Sequence, residues 1–199
     1  AGGERQLNPH ESIYTEWAVS QSDQNRFSPL DDQDNMAFSS FLGIKSEKRT
    51  ISSLDSAYLE GSFETEYTQA NFQAIDRYRA VDYNRDWSTN AQLSSADWLS
   101  QFKWKLYKNT KKKHQQSWAY RKRGEEVSAL QAQTRTSFIE KQWSFQEKSF
   151  GLTNQTDSLQ SRWLRTQQKL GYSFKAFSPQ YEFTLDQHQE QNQFFLSLI

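Results

Sequence analysis

Apolar residues recur at every second position along most of this chain. A period of two places alternate side chains on opposite faces of a strand, so it selects extended structure over helix. Ile13, Thr15, Trp17 and Val19 share one parity, and Met36, Phe38, Ser40, Leu42 and Ile44 share another run of it. Ala57, Leu59, Gly61, Phe63, Thr65 and Tyr67 alternate with Glu60, Glu64 and Glu66. Phe102, Trp104 and Leu106 alternate with Lys103 and Lys105, and Trp118 and Tyr120 follow. Leu130, Thr134, Thr136 and Phe138 oppose Gln131, Gln133 and Arg135, with Trp143 and Phe145 next. Leu164 to Phe174 is the longest run, and Tyr181, Phe183 and Leu185 pair with it as a hairpin.

Polar clusters at 22–25, 31–35, 109–113, 123–125 and 153–157 read as turns between these runs. The expected fold is therefore all-β: an antiparallel meander of about nine to eleven strands, closing as a sandwich or barrel in one domain over residues 1–199. Two stretches also carry a helical pattern. Ser94 to Asp97 would cap a helix bearing Trp98, Leu99, Phe102 and Leu106, and 158–170 offers Leu159, Trp163 and Leu170. Strand is preferred for both, because the two-residue alternation continues through them and aromatics favour strands.

The material for a core is unusual. Apolar residues make up 35% of the chain, and 14 Phe, 9 Tyr and 7 Trp supply much of that. Each ring buries roughly 150–250 Å², so the aromatic parity is expected to face inward. A lipid-facing barrel wall, with aromatics outside and polar residues within, is the alternative closure. Against it stand Gln, Thr and Ser on the outward parity of several strands, charges on both parities of 77–86, and a hydrophilic average.

Function classes are narrowed mostly by exclusion. The 24 basic and 24 acidic residues cancel, which argues against a general attraction to nucleic acid or acidic lipid. No cysteine is present, so thiol catalysis and Cys-ligated metal are excluded. His10, His114 and His188 lack ligand spacing, and no nucleophile triad, phosphate loop or paired-carboxylate motif is recognisable. An enzyme, a cofactor and a metal are accordingly not expected. Asp31, Asp32, Asp34 and Asn35 are rich in oxygen but lack the glycine and distant glutamate of a calcium loop. Lys103 to Arg123 mixes cations with Trp104, Tyr107, Trp118 and Tyr120, as single-strand binders do, yet lysine on strands also guards edges. Trp and Tyr on a sheet face also suit stacking on sugar rings.

The segment Arg77 to Trp87 is the densest in charge. On a strand, Arg77, Arg79, Arg85 and Trp87 share a face, with Asp82 and Asp86 opposite. Cross-strand pairing with Glu60, Glu64 and Glu66 is one reading. An anion or glycan site built from Arg77, Arg79, Arg85 and Trp87 is the functional one.

Two strings, Asn25 to Asn35 and Phe72 to Trp87, with Gly151 to Leu159 as a weaker third, resemble segments of very large, mostly uncharacterised β-rich envelope proteins of Bacteroidota-type bacteria. The resemblance covers about a fifth of the chain and carries no catalytic residue. It implies a piece of a longer chain in the periplasm or outer membrane, with a structural or export-related role. Other envelope proteins are then the expected partners, with membrane association through the parent chain. The missing initiator Met and the apolar end from Gln193 to Ile199 agree with an excised piece. Three readings follow: a non-catalytic envelope scaffold or docking domain, a glycan-binding module, and a segment of an outer-membrane barrel.

Overall fold

In a computed structural model the described residues are 1–21, 36–54, 57–73, 87, 95–109, 111–125, 127–155, 159–175 and 177–192. They form one antiparallel sheet of ten strands: β1 (Gly2–Asn8), β2 (Glu11–Gln21), β3 (Met36–Ile51), β4 (Ala57–Thr68), β5 (Asp97–Asn109), β6 (Lys112–Arg123), β7 (Val127–Glu140), β8 (Trp143–Gln155), β9 (Leu159–Tyr172) and β10 (Gln180–Asn192). The order in the sheet is the order in the chain, so the fold is a pure meander. Ser52–Leu54 is a 3-10 turn between β3 and β4. Asp97–Asn109 and Leu159–Tyr172, which also carry helical patterns, are strands. The polar cluster at 153–157 does not end its strand at once, because β8 continues to Gln155.

Local chemistry fixes the turns. Asn109 closes the β5–β6 turn by accepting from the backbone amides of Lys111 and Lys112 at 2.8 and 3.0 Å. Gly124 and Lys141 supply the left-handed residues after β6 and β7, with φ of 52° and 51°. A β-carbon on Gly124 would lie 2.8 Å from Ser95 Oγ.

Connections differ between the two ends of the sheet. At one end lie 9–10, 52–56, 110–111, 141–142 and 173–179, all short. At the other lie two long connections, 22–35 and 69–96, beside two short ones, 124–126 and 156–158.

The expected closure is not seen. β1 and β10 are the two edges of one sheet, and among the described strands neither pairs with the other. The inward aromatic face is also overturned. Trp17, Val19, Phe38, Leu42, Ile44, Phe63, Trp98, Phe102, Trp118, Leu130, Leu164 and Phe183 share one face, and every one is exposed. Among the described residues no second layer lies over that face, so strict parity fixes which face is apolar without burying it. The small core lies on the opposite, polar face. Trp87 packs there with Ala119, Val127, Ala129 and Leu152, flanked by Leu99, Phe150 and Trp163.

Candidate functional site

The two faces of the sheet are the candidate functional surfaces. On the apolar face, rows in register run across the strands. Ile13, Ile44, Phe63, Phe102, Trp118, Ala132, Gly151 and Leu164 form one row through β2 to β9. Toward the end with the long connections lies the row Trp17, Ser40, Tyr67, Trp98 and Lys122. At the other end Trp143 faces Tyr172 with ring centroids 4.6 Å apart, and Tyr181 is opposite Leu170. Amphipathic aromatics thus mark both ends of a largely apolar band.

One polar strip interrupts the band on β6 to β9. His114 Nδ1 lies 2.9 Å from Thr136 Oγ1, which donates to Glu147 at 3.1 Å. The second Glu147 oxygen accepts from Ser149 Oγ at 3.0 Å, and Ser149 Oγ lies 2.9 Å from Thr166 Oγ1. The polar groups of five residues therefore satisfy one another across four strands. Some of the Ser and Thr on this parity, which the sequence presents as unsuited to lipid, belong to this network.

The polar face is charged and laddered. Glu64 accepts from Lys103 Nζ at 3.2 Å and from Tyr14 OH at 3.0 Å. Glu60 accepts from Lys105 Nζ at 3.1 Å and from Tyr107 OH. The basic stretch 103–123 is thus drawn partly into cross-strand pairs on this face, while Lys112 meets Glu140 at 2.7 Å on the apolar face beside Phe138. Arg121 is 1% exposed and makes a two-point ion pair with Asp97, at 2.9 and 2.8 Å. Its guanidinium carbon lies 5.9 Å from the Trp87 ring. At the far edge, Arg165 and Trp163 Nε1 both donate to Asp186.

Trp87 is therefore a core residue on the polar face, 4% exposed, and its ring is taken up by packing. Arg77, Arg79 and Arg85, the other members of the sequence-predicted ligand site, lie outside the described residues, as do Asp31 to Asn35 and Gln193 to Ile199. His188 sits 3.3 Å from Ser161 Oγ and 3.2 Å from Glu190. Among the described residues no group of three or more His, Cys, Asp or Glu side chains is placed to hold a metal ion. The strip around Glu147 and the clamp at Asp97 were not singled out by sequence reasoning. An acid on an otherwise apolar parity, and an Asp ahead of a Trp-rich strand, are their only local signals.

Comparison with protein-family models, with curated proteins and with solved structures finds no match to this chain.

Proposed function

We propose that the chain is a non-catalytic structural part of the bacterial cell envelope: a stretch of membrane-spanning barrel wall in a larger export or transport assembly. The observation that carries this reading is the broad exposed apolar face, backed by a polar and charged one. Water does not tolerate an apolar face of this breadth, and such faces mark membrane or protein contact. Outer-membrane walls combine an apolar outer band, aromatic residues at both margins, a polar interior, and short turns at one end with longer loops at the other. This sheet has an exposed apolar face with aromatics at both margins, a polar opposite face, and two longer connections at one end only, which supports the reading. Strands β2 to β10 run 11 to 16 residues, enough for the ~9–11 residues that a tilted spanning strand needs. The edges at β1 and β10 are where further strands of a barrel, or other envelope proteins, would pair. The resemblance to large envelope proteins supports the same compartment.

The test uses the tryptophans as reporters of depth. The chain is folded into lipid vesicles whose acyl chains carry bromine, a contact quencher. Single-tryptophan variants that keep Trp98 or Trp118 should be strongly quenched. Variants that keep Trp87 or Trp163, on the polar face, should not. Equal quenching of both sets, or a chain that stays in the aqueous phase, would overturn the reading.

A further inference from the structure

Arg135 and Lys148 stand directly opposite each other in the β7–β8 register on the polar face. Like charges in that relation repel and destabilise the pair. Elsewhere on this face cations meet acids: Lys103 with Glu64, Lys105 with Glu60, Arg165 with Asp186 and Lys169 with Glu182. Arg135 and Lys148 have neither an ion pair nor a hydrogen bond among the described residues. The polar face of β6, β7 and β8 carries no Asp or Glu at all.

What surrounds the two cations is amide. Gln115 flanks Arg135 in register, and Gln167 flanks Lys148, so one row reads Gln, Arg, Lys, Gln across four strands. Gln133 lies two residues along from Arg135 and donates to Gln131 at 3.1 Å. Arg135, Lys148, Gln131, Gln133 and Gln167 line an open concavity of about 490 Å³, within the usual range of ligand pockets. Its floor includes the Trp87 cluster.

We propose that this concavity binds an anionic oligosaccharide. An unneutralised pair of cations selects for negative charge through charge-assisted hydrogen bonds. A carboxamide both donates and accepts, which matches a ligand surface of hydroxyl groups. Uronate or similarly acidic sugars carry both features on one chain. An acidic peptide shares the charge but not the hydroxyls, and the amides would then have less to bind. The proposal concerns the polar face alone and holds whatever covers the apolar one.

The test is calorimetric titration of the folded full chain in detergent micelles with hexagalacturonate, maltohexaose and hexaglutamate. Hexagalacturonate should bind, and maltohexaose should bind at least tenfold more weakly. R135Q/K148Q should weaken hexagalacturonate binding at least tenfold. Lys148→Glu gives a fold-independent check. It should abolish binding while raising the denaturation midpoint, because the carboxylate it introduces would neutralise Arg135 across the strands. Absence of hexagalacturonate binding would overturn the proposal. So would unchanged affinity in R135Q/K148Q, or hexaglutamate binding as tightly as the sugar.

Discussion

Arg121 on β6 and Asp97 at the start of β5 hold each other by two parallel hydrogen bonds, 2.9 and 2.8 Å long, with the guanidinium sealed from solvent beneath Trp87. The clamped guanidinium in turn meets Trp87, a residue of the long 69–96 connection, on the polar face. A planar guanidinium suits this geometry because its fork matches both carboxylate oxygens. Removing Asp97 takes both of these bonds from a buried charge, a change that costs roughly 3–5 kcal/mol. Asp97→Ala should therefore lower the chemical denaturation midpoint strongly. It should also raise Trp87 emission toward that of a solvent-exposed indole. A midpoint within error of the parent would show that the clamp contributes nothing.

Tyr14 lies flat across Gly43, its register partner on β3, and reaches Glu64 on β4 with its hydroxyl. A β-carbon at position 43 would collide with the ring, so the glycine is what lets the ring cross. Gly43→Ala should displace the ring and break its bond to Glu64, costing about 1–3 kcal/mol as an overpacked site does. Tyr14→Phe keeps the ring and loses one hydrogen bond, worth about 0.5–1.5 kcal/mol. Equilibrium unfolding of the two variants should rank them in that order.

Gly124 occupies a left-handed turn, φ 52°, against Ser95. Gly124→Ala should cost at least the ~1–2 kcal/mol that a side chain pays in that region, with Ser95 adding to it. Gly124→Ala combined with Ser95→Gly should recover the part due to collision and leave the part due to φ. Recovery of the whole loss by the second substitution would assign it to crowding alone.

Much of the fold was legible because a period of two is a local property. Side chains at Phe63, Thr65 and Tyr67, or at Phe102 and Trp104, declare a strand and its two faces without knowledge of any neighbour. Turn residues such as Asn109 and Gly124 mark where the chain reverses. Which face is covered is not local. Phe102 and Trp118 stack at 5.8 Å across β5 and β6 whether lipid, protein or a second layer lies above them, so alternation gave the apolar face and misplaced the core. The polar surfaces were hidden for a related reason. Arg135 and Lys148 become a directly opposed pair only through the β7–β8 register. Their lack of an acid is a property of three strands together. Glu147 shares the parity of Trp143 and Phe145, but only the register with Thr136 shows that its carboxylate is satisfied there.

The contrast between Phe102 and its neighbour Gln101 tests the environment of the sheet most directly. The two residues are adjacent in β5 and point to opposite faces. Phe102 is opposite Phe63 and Trp118 near the middle of the apolar band, while Gln101 is opposite Glu64. If lipid covers the apolar face, Phe102→Lys forces a cation into hydrocarbon near mid-depth, at a cost of about 2–4 kcal/mol. Gln101→Lys places the same cation on the polar face beside an acid, where a cross-strand pair changes stability by only about 0.2–1 kcal/mol. Unfolding from vesicles should therefore show a large loss for Phe102→Lys and little change or a small gain for Gln101→Lys. In water the order shrinks, because an exposed lysine on a solvated face keeps its hydration. Near-equal midpoints for the two variants would therefore sink the lipid-facing assignment, whatever the sheet's other face binds.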